Sequence, residues 1–151
     1  MPRIVREADV VWEGTVSRGS GVVTATSSRA FDLPFTIASR ISDPKGKTSP
    51  EELLAAAHAS CFVTSLGSEL ARAGTPPERL AVHCRITMDE VQGIGHRIVS
   101  SAIAAHGTVP DCDAAAFAQA AESADAGCSF SALLKASATV TIEATLDRGG
   151  S

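Results

Sequence analysis

Four cysteines carry the most reactive side-chain chemistry in this 151-residue chain: Cys61, Cys84, Cys112 and Cys128. An ionised thiolate attacks peroxides and disulfides, whereas a thiol buried in apolar surroundings has a raised pKa and is inert. Cys61 lies in the stretch SPEELLAAAHASCF, and residues 53–68 contain no Asp, Glu, Lys or Arg. On this pattern alone Cys61 fits buried packing better than catalysis. A cation or a helix N-terminus beside the sulfur would make it reactive.

The helix that positions Cys61 has a strong start signal. Ser49 as N-cap, Pro50 at N1 and Glu52 at N3 have the pattern of a capping box, with proline where its missing N–H costs nothing. The pattern predicts a helix over Ser49 to Ala73, ended by GTPP. Because residues 53–68 carry no charge, this helix must be covered on nearly all sides.

One small domain rarely buries a helix completely. The simplest explanation is that a second copy of the chain packs against this helix. Small residues would let two copies of the helix approach closely: Ala56, Ala57, Ala59, Ser60 and Gly67. We therefore predict a homodimer.

The elements before the helix are predicted as strands. DVVWEGT and GVVTATS, joined by the turn SRGSG, read as a hairpin, and FTIASRI reads as a third strand. SDPKGKTSP is a polar loop that leads into the helix.

The second half of the chain continues the α+β pattern. RLAVHCRITMDEV, with Val82, Cys84, Ile86 and Met88 on one face, and GHRIVSSAIAAHGTV are predicted as paired strands. DCDAAAFAQAAESADAG is an Ala-rich helix with Asp113 as its N-cap, CSFSALLKA a short helix and SATVTIEATL a closing strand. The order predicts an α+β fold of antiparallel sheets around a long, central, buried helix, in one domain over residues 1–151.

Charge and hydropathy exclude several function classes. The net charge is −4, the pI is near 5.5, and no Lys/Arg cluster is present, which argues against a nucleic-acid partner. MPRIVREADVVWEG lacks the apolar core of a signal peptide, and we expect no apolar run of membrane length. The chain is thus predicted to be cytoplasmic, where cysteines stay reduced.

Two stretches together, TSPEELLAAAHASCF and AGCSFSALLKA, resemble the OsmC/Ohr family (osmotically inducible protein C and organic hydroperoxide resistance protein) of thiol-dependent hydroperoxide reductases. The shared features are a Pro-Glu helix start, a cysteine some ten residues on, and a second cysteine after Ala-Gly. The likeness extends to WEGTVSRGSG and ASR. AAHASC is closer to the OsmC branch than to the Ohr branch, which usually has Gly-Tyr in place of Ala57-His58.

The resemblance implies a two-cysteine peroxidase without a bound cofactor. Cys61 would be the peroxidatic nucleophile that becomes a sulfenic acid, and Cys128 the resolving thiol that condenses with it to a disulfide. A dithiol reductant, such as a lipoyl group, would regenerate both thiols. Apolar residues near Cys61 favour bulky organic hydroperoxides, with hydrogen peroxide as a further substrate: Leu54, Ala57, Phe62 and Leu66.

The resemblance also supplies a cation for the thiolate. Arg40 matches the arginine of the OsmC pattern and Arg18 the loop arginine of the Ohr pattern, and we favour Arg40. Glu51 matches the glutamate that orients the arginine. Simpler interpretations are open: Arg18 is a solvated turn residue, Arg40 pairs with Asp43, and Glu51 is a favourable charge at a helix N-terminus.

Helix geometry separates two of these residues. Glu51 and Cys61 are ten positions apart, which is about 15 Å along one helix. If both serve one site, the glutamate must come from the facing subunit. This agrees with the intertwined homodimers and interfacial active sites for which the family is known.

The remaining candidates are assigned weaker roles. The family often has proline after the second cysteine, whereas this chain has Ser129, and the difference affects the rigidity of the loop at Cys128.

Three roles are open for His58: a base, a metal ligand together with Cys61, or a hydrogen-bonded core histidine. The last is favoured. Neither C-x-x-C nor H-x-x-x-H spacing is present, so no metal site is predicted. Cys84 is assigned to strand core, and Cys112 receives no role.

Two alternatives from other function classes stay open. The chain could be a thiol-based redox sensor, or a catalytically silent member that binds an apolar ligand at the dimer interface. Turnover of excess peroxide in the presence of a dithiol separates an enzyme from both.

Overall fold

The computed structural model describes residues 2–147, which form six strands and four helices. The strands are β1 (Ala8–Glu13), β2 (Ser20–Ala25), β3 (Asp32–Phe35), β4 (Arg79–Val91), β5 (Gly95–Thr108) and β6 (Thr139–Leu146). The helices are α1 (Ile37–Ile41), α2 (Pro50–Arg72), α3 (Ala114–Gly127) and α4 (Ser129–Lys135). The predicted α+β class is confirmed. The chain divides between Leu53 and Leu54 into two compact units, and its assignment as one domain stays a prediction.

The first unit is built on an antiparallel sheet in the order β1-β2-β3. Pro34 lies in the edge strand β3, where its missing N–H leaves no ladder bond unmade. The rings of Trp12 and Phe35 pack at a centroid distance of 5.5 Å. Both rings lie over Gly21, where a Cβ would come within 2.5 Å of Phe35 Cε1 and 2.8 Å of Trp12 Cε3. Only glycine fits this close approach.

The prediction of a strand over FTIASRI is wrong, because β3 ends at Phe35 and α1 follows. Thr36 caps α1: its Oγ1 accepts the Ser39 N–H at 3.0 Å, and its own N–H donates to Ser39 Oγ at 2.9 Å. This reciprocal capping box satisfies two amides that would otherwise lack partners. The capping box therefore starts a helix at this point, because the alternation of apolar residues in FTIASRI is too short to define a strand.

The second unit has a sheet in the order β4-β5-β6. β4 and β5 pair antiparallel from Arg79↔Thr108 to Val91↔Gly95, as predicted. A β-bulge at Val99 of β5 lies opposite Thr87 and Met88, and the predicted face of β4 is partly buried along its length, at Val82, Cys84, Ile86 and Met88. β6 lies parallel to β5, which corrects the expectation of purely antiparallel sheets. The reason is that α3 and α4 form the crossover that a parallel pair requires.

Helix α2 buries one stripe of side chains spaced four residues apart: His58, Phe62, Leu66 and Leu70. Their apolar members join Ile103 of β5 and Phe117 of α3 in the core of the second unit. At the start of α2, Ser49 Oγ accepts the Glu52 N–H at 3.1 Å. The Glu52 carboxylate accepts the Thr48 hydroxyl at 2.8 Å, so Glu52 is engaged outside the predicted capping box.

The opposite stripe of α2 is exposed and consists of small residues: Ala56, Ser60, Thr64 and Ser68. One chain therefore does not cover this helix on nearly all sides. Within residues 2–147, α2 is also the one helix long and apolar enough to span a membrane by length and composition, with 22% of that window buried. This corrects the expectation that no apolar run reaches membrane length. The buried stripe of α2 is that of a core helix, so the resemblance to a membrane span is weak.

Candidate active site

Two helices of the second unit bring Cys61 and Cys128 together. Cys61 lies on α2 and is partly buried, whereas Cys128 sits between α3 and α4 and is only 1% exposed. The Cys128 thiol donates to Cys61 Sγ at a distance of 3.3 Å. Both thiols are free. A disulfide has an S–S length near 2.05 Å, so closing this one requires an approach of about 1.3 Å.

The surroundings of Cys61 favour its thiolate. Burial alone would raise its pKa, but hydrogen bonds from the Cys128 thiol, the Phe130 amide, and the Ser129 hydroxyl and amide together bring the pKa below its ordinary value. Ser129 Oγ lies 3.9 Å from Cys61 Sγ. The two amides belong to the first turn of α4, where helix N–H groups have no intrahelical partner. The first turn of α4 thus acts as a donor group for the Cys61 sulfur.

The junction between α3 and α4 holds Cys128 in place. The Cys128 N–H donates to the Asp125 carbonyl at 3.3 Å, and Cys128 Sγ accepts the Ser131 N–H at 3.5 Å, so this cysteine ends one helix and caps the next. Lys135 Nζ pairs with Asp125 Oδ2 at 2.5 Å across the junction. Gly127 is the last residue of α3. These contacts fix the position of Cys128 at the junction between α3 and α4.

His58 is a fully buried histidine with both ring nitrogens occupied. Its Nδ1 lies 2.6 Å from Ser101 Oγ on β5, and its Nε2 lies 2.8 Å from Ser131 Oγ on α4. Burial lowers the pKa of His58. The charge of Asp125 raises this pKa and the charge of Lys135 lowers it, both by less than burial does. The ring is therefore neutral near pH 7. The prediction of a hydrogen-bonded core histidine is confirmed.

The other two cysteines have different partners. Cys84 Sγ lies 3.2 Å from Ser101 Oγ, and burial raises the pKa of this thiol while the Ser101 hydrogen bond lowers it in part. It is half-buried and packs against the core, as predicted for a strand residue. Cys112 Sγ contacts the Asp113 carbonyl at 3.5 Å, beside the residue that caps α3.

In the first unit, Arg40 pairs with Glu51. Arg40 Nε donates to Glu51 Oε1 at 2.6 Å, and Glu51 is 15% exposed. Arg40 therefore contacts the glutamate that the resemblance names, and Asp43 instead accepts the Lys45 N–H. Glu51 Oε2 is buried and has no hydrogen-bond partner. Arg18 lies exposed in the turn between β1 and β2, where its N–H donates to Thr15 Oγ1 at 3.2 Å.

The geometry of two thiols and a stabilised thiolate agrees with the family comparison. The family described as OsmC-like protein matches residues 42–143. Peroxiredoxin OsmC of Escherichia coli (strain K12) is 35% identical over 137 residues, which cover 91% of this chain and 94% of that protein.

The chain belongs to the OsmC-like family.

Relatives in this family set the activity class and the fold. Peroxiredoxin OsmC of Shigella flexneri matches with the same identity and coverage as the Escherichia coli protein. The chain is accordingly an oxidoreductase of the cysteine-based peroxidase class. An organic hydroperoxide resistance protein OsmC from Legionella pneumophila superposes with a TM-score of 0.74 at 16% identity, covering 95% of this chain and 99% of that one. OhrB of Bacillus subtilis superposes with a TM-score of 0.73 at 18% identity, covering 92% and 98%. These structures support the fold alone.

Sequence reasoning missed two parts of this OsmC-like site. It sought a cation for the Cys61 thiolate and overlooked the amides of Ser129 and Phe130, although it had placed a short helix after Cys128. It also did not find the serine partners of His58, because they lie 43 and 73 positions away in sequence. No group of three or more His, Cys, Asp or Glu residues suited to a metal ion is found within residues 2–147.

Proposed function

We propose that this protein reduces organic hydroperoxides, with Cys61 as the peroxidatic thiolate and Cys128 as the resolving thiol. The observation that supports this most directly is the 3.3 Å distance between the two sulfurs. The lowered pKa of Cys61 adds to it, because the thiolate is the nucleophile.

The proposed reaction has three balanced steps. The Cys61 thiolate attacks the terminal peroxide oxygen and breaks the O–O bond, which leaves Cys61–SOH and an alkoxide that takes a proton to become the alcohol. The Cys128 thiol then attacks the Cys61 sulfur, and its proton leaves with the hydroxyl group as water. A dithiol reduces the disulfide to two thiols and is itself oxidised to a disulfide, in two exchange steps.

The proposed substrate class is organic hydroperoxides, with hydrogen peroxide as a slower substrate. Two of the apolar residues first invoked, Phe62 and Leu66, are fully buried in the core and line no open site. A cavity of about 200 Å³ in the first unit combines the apolar side chains of Trp12, Phe35 and Ile37 with Arg40. Apolar walls with one positioned polar group are typical of small-molecule sites.

We further propose that the protein is a cytoplasmic homodimer with interfacial active sites. The exposed small-residue stripe of α2 supplies a surface on which a second copy fits. Arg40 and Glu51 are assigned to thiolate support by their match to the family pattern. A dithiol, such as a lipoyl group, is the proposed electron donor.

The proposed function is tested by mass spectrometry after one equivalent of cumene hydroperoxide. A Cys61–Cys128 disulfide is expected in the wild type and in the control variant Cys112→Ser. Cys61→Ser should have no peroxidase turnover with dihydrolipoamide as reductant. Cys128→Ser should accumulate Cys61 sulfenic acid, which dimedone labels. A disulfide that involves Cys84 or Cys112 in the wild type would contradict the assignment.

A further inference from the structure

Helices α2 and α4 are joined by two contacts that lie side by side. Cys61 meets Cys128 in one of them, and His58 meets Ser131 in the other. His58 and Cys61 are three positions apart on one face of α2, and Ser131 of α4 is three positions after Cys128, the N-cap of that helix. The His58–Ser131 hydrogen bond is thus a second link, one helical turn away from the thiols.

The hydrogen bond between His58 and Ser131 is the more fixed of the two contacts, because the two cysteines are free thiols that are not bonded covalently. His58 and Ser131 are both fully buried, and their hydrogen bond measures 2.8 Å. On its other side, His58 is fixed to the fully buried Ser101 of β5 at 2.6 Å. A neutral imidazole donates from one nitrogen and accepts at the other, so one ring satisfies both serines. The hydrogen bond to Ser131 therefore joins α4 to α2, while the bond to Ser101 joins α2 to the central strand β5.

Ser131 also connects this link to the resolving thiol itself. Its backbone N–H donates to Cys128 Sγ at 3.5 Å while its hydroxyl contacts His58. A shift of Ser131 away from His58 would consequently move the amide that holds Cys128 and the first turn of α4 that donates to Cys61. Misplacement of reacting groups by about 1 Å can cost about 100-fold in rate.

We propose that His58, through Ser131, is a positioning residue that holds Cys128 within reach of Cys61 for disulfide formation. This inference rests on the proposed function of the two thiols. Both ring nitrogens of His58 are engaged by serine hydroxyls, so in this proposal His58 acts through α4 and not on the sulfurs directly. Ser101, the partner of the other ring nitrogen, lies on β5, and its hydrogen bond to His58 does not involve α4.

The two serines offer a matched pair of variants. Ser131→Ala and Ser101→Ala each remove one hydroxyl from the same buried imidazole, so a merely structural role predicts similar effects of both. The positioning role predicts that Ser131→Ala slows disulfide formation by about tenfold or more, while Ser101→Ala keeps the wild-type rate.

The readout is the fate of the Cys61 sulfenic acid in a rapid-quench experiment with cumene hydroperoxide. Disulfide formation competes with a second peroxide molecule, which oxidises Cys61–SOH to the sulfinic acid and is itself reduced to the alcohol. Mass spectrometry of the quenched protein should show a larger sulfinic fraction in Ser131→Ala than in either Ser101→Ala or wild type. Equal sulfinic fractions in the two serine variants would overturn the proposal.

Substitutions of His58 provide an independent pair if a serine variant fails to fold. A glutamine amide occupies the place of the ring Nε2 and faces Ser131, whereas an asparagine amide occupies the place of Nδ1 and faces Ser101. His58→Gln should therefore form the disulfide near the wild-type rate, and His58→Asn should behave like Ser131→Ala. The reverse order overturns the inference. Failure of the wild type to form a Cys61–Cys128 disulfide would instead refute the proposed function, and the inference with it.

Discussion

Oxidation of the two thiols should stabilise the folded protein by an amount set by their separation in sequence. The sulfurs belong to residues 67 positions apart, and a crosslink over such a loop restricts the unfolded chain. The chain-entropy relation gives about 4 kcal/mol for this loop at 25 °C. The native structure should add little strain, because the sulfurs already lie 3.3 Å apart.

The expected shift is large enough for an ordinary thermal melt. At roughly 2–4 °C per kcal/mol for a chain of this size, 4 kcal/mol corresponds to a rise in Tm of roughly 8–16 °C. The protein is oxidised with one equivalent of cumene hydroperoxide or reduced with a dithiol, and both samples are melted at one protein concentration by circular dichroism. Cys128→Ser should show no rise on oxidation, whereas Cys112→Ser should show the full rise. An intact Cys61–Cys128 disulfide that leaves Tm unchanged or lowers it would refute the reasoning.

Four further predictions concern acid stability, core packing, dimerisation through α2 and the guanidinium. Burial lowers the pKa of His58, so the unfolded state binds the extra proton first; stability should fall as pH drops below about 6.5, by at most about 1.4 kcal/mol per pH unit. Urea melts at pH 7 and pH 5.5 measure this fall, which His58→Gln should reduce. Gly107→Ala should cost about 1–3 kcal/mol in a urea melt, since its Cβ would lie 2.6 Å from Phe117 Cε1. Gly67→Ala leaves 3.8 Å between its Cβ and Leu80 Cδ1, so it should not lower the midpoint of a urea melt. Thr64→Arg, on the exposed stripe of α2, should yield a folded, inactive monomer by light scattering. Arg40→Lys should lower kcat/KM by about 100-fold in a steady-state assay with cumene hydroperoxide, because it loses the guanidinium fork.

Elements with their own start signals could be predicted from the sequence. Ser49 and Asp113 were predicted as N-caps, and each side chain accepts a hydrogen bond from the backbone N–H three residues further on. The paired strands β4 and β5 follow from long alternating runs. FTIASRI failed as a strand because the capping interaction between Thr36 and Ser39 outweighs a short alternation.

The candidate site could be predicted less completely than the fold. The resemblance named Cys61 and Cys128, but their distance depends on how α2 and α4 pack, which sequence spacing does not determine. The same holds for Ser101 and Ser131, which read as ordinary polar residues until the fold brings them to His58. The parallel direction of β6 could have been predicted, because the two helices predicted between β5 and β6 form the crossover connection that a parallel pair requires.

Unequal burial of the two sulfurs gives the regeneration step a direction. Cys128 is 1% exposed, while Cys61 is partly open to solvent. In the proposed cycle, an incoming dithiol should therefore attack the Cys61 side of the bridge, so that the transient mixed disulfide would form on Cys61 and Cys128 would leave first as the free thiol. On this proposal the sulfur that reacts with the oxidant would also react with the electron donor, so both halves of the cycle would depend on solvent access to Cys61.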